Sequence, residues 1–292
     1  FEDVSDAVGL GAKGIGSDAR GDALTVFDMD GDGKADFLYG AGKGIVVKNT
    51  GTKFELAKDT GLELPEKRGG VAVGDYDGDG KPDLAVPHAG GVLLLRNLGG
   101  FKWEDATKAA GLYGLGPATS VAWGDLDSDG KPDLVVGRLK AFNRFYRNAG
   151  EGKLEDATAK IGFDQKVFNT QAVAVADVNG DGTLDVVLNN EGQDSVVLLG
   201  DPAWGAKRTP VSVTLGARAG LTGAALRLLD AKGGLAGMHV LTGGEGRGGQ
   251  GAGRARFAVA PGTYRAELTL SNGEKRTKEV VVAASHVRAV VE

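Results

Sequence analysis

The sequence predicts an all-β protein, a four-bladed β-propeller built from repeats of about 50 residues and followed by a C-terminal β-sandwich. Three observations predict it. First, an acidic loop recurs as DMDGDGKADF from Asp28, DYDGDGKPDL from Asp75, DLDSDGKPDL from Asp125 and DVNGDGTLDV from Asp177, at spacings of 47, 50 and 52 residues. Second, a segment with the same beat opens each unit: FEDVSDAVGL at Phe1, FELAKDTGL at Phe54, WEDATKAAGL at Trp103 and LEDATAKIGF at Leu154. Third, NTG at Asn49, NLG at Asn97 and NAG at Asn148 close the first three units.

Within each unit the elements follow in order. An apolar run precedes the acidic loop (ALTVF, VAVG, SVAWG, AVAVA) and a second follows it (DFLYG, DLAVP, DLVVG, DVVLN). A third run comes next: GIVVKN, GVLLLRN, NRFYRN, SVVLLG. Asn-x-Gly then turns the chain into the next F/W-E-D segment. Period-two patterning broken by glycine turns indicates antiparallel sheet. The run after each loop is almost wholly apolar, as expected of a strand covered on both faces. Four strands per unit make a blade, with blades at about 1–53, 54–102, 103–153 and 154–205. An open half-ring, or two chains completing an eight-bladed ring, are alternatives. A closed ring is favoured, because an open one leaves edge strands exposed.

Numbered from its first aspartate, each loop carries side-chain oxygens at positions 1, 3, 5 and 9. These are Asp28, Asp30, Asp32 and Asp36, then Asp75, Asp77, Asp79 and Asp83. The third set is Asp125, Asp127, Asp129 and Asp133; the fourth is Asp177, Asn179, Asp181 and Asp185. Position 6 is always glycine. Position 7 is Lys34, Lys81, Lys131 or Thr183, each expected to offer its backbone carbonyl. Alternate oxygens turned toward one point suit Ca²⁺, which takes six to eight oxygen ligands in flexible geometry. Mg²⁺ demands a stricter octahedron, and Zn²⁺ prefers nitrogen or sulfur. An EF-hand would need Glu at position 12 and flanking helices. Here position 12 is Tyr39, Val86, Val136 or Leu188, and the flanks are strands. The expectation is four Ca²⁺ sites, one per blade. Four equivalent copies argue against a single catalytic centre, and the chain is expected not to be an enzyme.

The D-x-D-G-D-G-x-x-D loop between strands resembles the FG-GAP/VCBS repeat of integrin α-subunit propellers and many secreted bacterial proteins. The resemblance covers about residues 1–205. It implies calcium held between blade strands and an extracellular or cell-surface setting. Ser128 replaces glycine in the third loop, and Asn179 replaces aspartate in the fourth, which keeps an oxygen but lowers the charge. Integrin propellers have seven blades, so their ligand-binding face does not carry over.

From about Thr209 the period stops. Seven strand-like runs follow (VSVTLGA, AALRLLD, MHVLTG, ARFAVA, TYRAELTL, TKEVVVAA, HVRAVVE), as expected of a sandwich over 206–292. The segment is similar to the ASPIC/UnbV domain and to Ig-like modules with a PGTY turn; neither supplies a catalytic residue.

Composition narrows the function. The chain has 292 residues, 50 of them Gly, no Cys and a net charge of −5, so disulfide and thiol chemistry are excluded. Fifteen of the 39 acidic residues lie in the four loops, and the other 24 face 34 basic ones. The mild acidity disfavours nucleic acid, and no apolar run is long enough to span a membrane. The chain starts at Phe1, as a processed product would. GGEGRGGQGAG (Gly243–Gly253) lacks a Walker ending and reads as an exposed loop, and RGD at Arg20–Asp22 as a chance tripeptide. His88, His239 and His286 are scattered; Trp103 and Trp123 hold repeat positions and read as core. The expected function is a calcium-stabilised extracellular scaffold for adhesion or matrix assembly, with a protein or matrix partner. The alternatives are a self-assembling filament joined by terminal-strand addition and a glycan-binding module.

Overall fold

The structure is a computed structural model describing residues 2–11, 15, 24–40, 44–65, 69–204, 208–216, 221–242, 254–283 and 286–291. Arg20–Asp22 and Gly243–Gly253 lie outside the described residues.

Four antiparallel sheets follow the four repeats. β1 (Leu24–Phe27), β2 (Asp36–Tyr39), β3 (Ile45–Asn49) and β4 (Phe54–Leu56) form the first, in chain order. β5 (Ala72–Gly74), β6 (Asp83–His88), β7 (Gly91–Gly99) and β8 (Lys102–Asp105) form the second. β9 (Ser120–Gly124), β10 (Asp133–Gly137), β11 (Arg144–Gly150) and β12 (Lys153–Asp156) form the third. The fourth has three strands: β13 (Thr170–Ala176), β14 (Asp185–Asn190) and β15 (Val196–Leu198). Each acidic loop joins the first two strands of its sheet. The F/W-E-D segment is a short outer strand rather than a full one. In two repeats it turns at once into a single helical turn, α1 (Thr107–Ala110) and a 3-10 turn at Thr158–Ile161. Left-handed glycines close both turns, Gly111 at φ 96° and Gly162 at φ 75°.

The second strands behave as their apolar runs require. Leu84, Ala85, Val86, Leu134, Val135 and Val136 are fully buried, because neighbouring sheets cover both faces. Three apolar clusters hold successive sheets together. Phe27, Leu38 and Val46 of the first sheet pack on Val73, Leu84 and Trp103 of the second. Leu94 packs with Leu134 and Tyr146, and Phe145 with Val186 and Leu188. Among the described residues no cluster joins the fourth sheet to the first. Val178 and Val197 of the fourth sheet stand exposed.

The seven C-terminal strands form two sheets around one core. One has the order β19 (Arg254–Val259), β16 (Thr209–Leu215), β22 (Val287–Val291). The other has the order β18 (Leu235–Leu241), β17 (Ala224–Leu229), β20 (Gly262–Thr269), β21 (Lys275–Val282). Val211, Val213, Leu226, Leu228, Phe257 and Leu268 fill the space between them. β22 runs parallel to β16, a pairing that the hairpin pattern of the sequence did not anticipate.

Candidate metal centres

Each acidic loop is built by its own side chains. The position 1 carboxylate accepts from the backbone N–H of the position 6 glycine in all four loops, Asp28 from Gly33 at 2.8 Å and Asp177 from Gly182 at 3.1 Å among them. That glycine has φ of 88°, 82°, 89° and 92° in the four copies, which a residue with a Cβ rarely adopts. Position 3 accepts from the N–H of position 5, and position 5 from that of position 7. The loop thus curls around its own oxygens.

Position 9 is a different kind of residue. Asp36, Asp83, Asp133 and Asp185 are fully buried at the start of the second strand. One oxygen accepts from the N–H at position 2 (Met29, Tyr76, Leu126, Val178). The other accepts from the N–H of Asn49, Asn97 or Asn148 on the third strand, or of Gly200 just past it. This aspartate fastens loop, second strand and third strand together before any ion is considered.

Three loops bring carboxylates to a point: Asp28, Asp30 and Asp32; Asp75, Asp77 and Asp83; Asp125, Asp127 and Asp133. In each group one oxygen from every residue lies within 4.8 Å of the others. Two oxygens about 2.4 Å from a shared Ca²⁺ stand at most about 4.8 Å apart, so the groups are the right size. Asp75 Oδ1 is buried and has no hydrogen-bond partner among the described residues. An orphaned carboxylate oxygen beside two more carboxylates fits a hard cation. In the fourth loop the acids do not gather so closely among the described residues, and Asn179 Nδ2 donates to Asp181 at 2.8 Å.

The acids strain against one another without a cation. Burial, then the neighbouring aspartates, pushes Asp36 up to about 7, Asp75 to about 6, Asp83 to about 8 and Asp125 to about 7. Asp133 is raised well above the usual range for the same reasons. Backbone N–H donors oppose these shifts without cancelling them.

Basic side chains, absent from the sequence reading, supply part of the missing charge. Lys48 pairs with Asp30 and lies 3.5 Å from Asp32. Arg96 reaches Asp77 at 2.6 Å; Arg147 pairs with Asp127 and meets Asp129 at 2.7 Å. The position 7 lysines turn back on position 5, Lys34 to Asp32 at 3.0 Å and Lys81 to Asp79 at 2.6 Å, with Lys131 on Asp129 alike. The signal was a base directly before each N-x-G. The fourth repeat has Leu199 there, and its cation comes from elsewhere. Arg256 of β19 faces Asp177, Asp125, Asp181 and Asp185, its terminal nitrogens buried without a hydrogen-bond partner among the described residues.

The sandwich rests on all four loops. Ala35 N–H donates to the Ser271 carbonyl at 3.0 Å beside the first loop. Arg227 Nη2 donates to the Gly80 carbonyl at 2.8 Å in the second. A Cβ on Gly130 would meet the Ala258 carbonyl at 3.0 Å, and one on Gly182 would meet Pro210 Cγ at 3.4 Å. The acidic face of the repeats is thus the docking face of the C-terminal sheets.

The FG-GAP-like repeat profile matches residues 28–86, 75–136 and 137–188, more than half of the chain. No curated protein sequence matches it. Among solved structures, a lectin of Agrocybe aegerita that recognises non-reducing terminal N-acetylglucosamine is 20% identical over 87% of this chain and 65% of its own, with a TM-score of 0.38. The BBS1N domain in complex with ARL6DN is 17% identical over 89% and 80%, with a TM-score of 0.32. The rhamnogalacturonan lyase YesW is 17% identical over 87% and 56%, with a TM-score of 0.36. The chain spans less than two thirds of the lectin and of the lyase.

Proposed function

Since the chain belongs to the FG-GAP-like repeat family, we propose that it is a non-enzymatic scaffold whose four sheets are propeller blades, each clamped by one Ca²⁺. The observation that carries this reading is the convergence of three carboxylates in each of three loops, with a buried oxygen of Asp75 left unpartnered. The side chains at positions 1, 3, 5 and 9 and the carbonyl at position 7 would hold the ion. Bound there, it supplies positive charge that lets the buried aspartates ionise. The fourth site, with Asn179 in place of an aspartate, is the weakest. Titration calorimetry on metal-free protein tests the reading. Up to four Ca²⁺ should bind, with Mg²⁺ far weaker, and silence with Ca²⁺ would refute it.

The setting we infer is extracellular or at the cell surface, where millimolar calcium fills sites of this class. Repeats of this family are typical of adhesion proteins, and no described helix is long and apolar enough to cross a membrane. The partner we infer is a protein or matrix component, another copy of the chain included. Glycan binding is a second reading. A cavity between the third and fourth sheets is lined by Trp204, Lys160 and Asp201, an aromatic face beside polar groups. Glycan-array binding that Trp204→Ala abolishes would establish it.

A further inference from the structure

The repeats show what each sheet's two faces are for. Three residues before the asparagine of the third strand stand Val46, Leu94 and Phe145, which are 3%, 0% and 0% exposed under the following sheet. Their counterpart in the fourth sheet, Val197, is 53% exposed. At loop position 2, Met29, Tyr76 and Leu126 are 1%, 5% and 5% exposed, but Val178 is 51% exposed. The opposite face of the first sheet is open in the same way. Four residues before the first aspartate, Val71, Val121 and Val173 are buried, whereas Leu24 is 49% exposed. Among the described residues, one end of the array exposes its trailing face at Val178 and Val197, and the other exposes its leading face at Leu24.

Polar groups at the two ends are unmatched too. Asn97 Nδ2 donates to the position 2 carbonyl of the preceding sheet, Met29, at 3.2 Å, and Asn148 Nδ2 to that of Tyr76 at 2.8 Å. Asn49 Nδ2 donates to Ala35 within its own sheet and, among the described residues, to no preceding carbonyl. The outer strands tell the same story. β3, β7 and β11 each pair with the outer strand that opens the next repeat, but β15 has no outer neighbour among the described residues. The segment from Phe1 to Leu10 carries the F-E-D sequence, and Glu2–Val4 pair with no sheet. Residues 2–10 already lie where a preceding repeat's segment would lie. A Cβ on Gly9 would meet the Phe54 carbonyl at 2.8 Å, as one on Gly111 would meet that of Leu154 at 2.8 Å.

We propose that the leading face of the first sheet of a second copy of this chain docks on the trailing face of the fourth sheet. At the junction Asn49 donates to the Val178 carbonyl of the other copy, and the incoming F-E-D segment pairs along β15. Three internal junctions of this chain bury the same two faces and two of them carry the same asparagine bond, which is why the occupant is another copy. The two faces differ, so the contact is head-to-tail and makes a ring if it closes and a filament if it does not. Val178 sits inside the fourth loop, between Asp177 and Asn179, but Val197 and Leu24 lie outside the loops, so substitutions there read association separately from calcium binding.

Sedimentation velocity from low to high micromolar concentration, in calcium buffer, tests the proposal. The parent chain should sediment as more than a monomer. Val197→Glu and Leu24→Glu change exposed residues on opposite faces, and each should shift the protein to monomer with its melting temperature kept. An equimolar mixture of the two retains one unharmed pair of faces and should recover a two-copy species with nothing larger. A parent chain monomeric at every concentration, or association untouched by both substitutions, would overturn it.

Discussion

Asn148 Nδ2 donates to the Tyr76 carbonyl at 2.8 Å, across 72 residues of chain. The same group donates to the Pro132 carbonyl at 3.0 Å, and Asn148 Oδ1 accepts from Gly150 N–H at 2.9 Å. One fully buried side chain thus closes its own turn, ties the third strand to the acidic loop and binds the preceding sheet. Asn148→Ala leaves the Tyr76 carbonyl without this donor, which should cost about 1–3 kcal/mol. Asn49→Ala, lacking the inter-sheet bond, should cost about 1 kcal/mol less in dilute protein. Urea unfolding of the two variants checks the difference.

Asp83 accepts from Tyr76 N–H at 3.1 Å and from Asn97 N–H at 2.8 Å. Asp83→Ala strands both buried donors and should destabilise by about 2–4 kcal/mol, with chelator as well as with calcium. Lys81→Ala removes an exposed ion pair and should change stability by less than about 0.5 kcal/mol. Parallel thermal melts compare the two.

Removing calcium should lower the melting temperature. At about 1 mM free ion and a Kd of about 0.1 mM, each occupied site contributes roughly 1.4 kcal/mol. Scanning calorimetry with and without EDTA measures the shift, and equal melting temperatures would contradict the clamp.

The metal-free chain should also depend on pH in an unusual direction. Asp36, Asp75, Asp83 and Asp125 bind protons more tightly folded than unfolded, with folded values of about 7, 6, 8 and 7 against an ordinary 3.8. Their contribution is fully present below the unfolded value and is lost as pH rises through the folded ones. With EDTA, stability should therefore fall between about pH 4 and pH 8. Saturating calcium, which binds the ionised carboxylates, should flatten or reverse that slope. Melting temperatures across this range, in both conditions, decide it.

Arg147 holds Asp127 and Asp129, two of the aspartates an ion would use. Arg147→Gln should lower the stability of the metal-free chain and raise calcium affinity several-fold, so that calcium shifts its melting temperature further than it shifts the parent's. A fall in affinity would mean that the guanidinium positions the carboxylates rather than competing for them.

Much of this was legible in the residues. The strands flanking each loop, the repeat order and the spacing of the loop oxygens are local, and local patterns survive in a linear text. The seven sandwich strands were likewise readable from alternation and turns. Position 9 was legible as an oxygen, but its double backbone bond was not, because one of its donors lies on a strand paired from the far side. N-x-G read as a turn, yet Asn97 and Asn148 are also joints between sheets, and that second partner lies one whole repeat upstream.

By itself the sequence determined the repeat unit, its strand order and the chemistry of its acidic loops, since each depends on residues within about ten positions of one another. Only the tertiary structure decided how the units assemble. Lys48, Arg96 and Arg147 meet the loops because a third strand returns beside the first two. The sandwich meets all four loops because of how its two sheets dock, which no period in the chain encodes. The exposure of Val178 and Val197 beside their covered counterparts Tyr76, Leu126, Leu94 and Phe145 likewise appears only once the sheets are stacked.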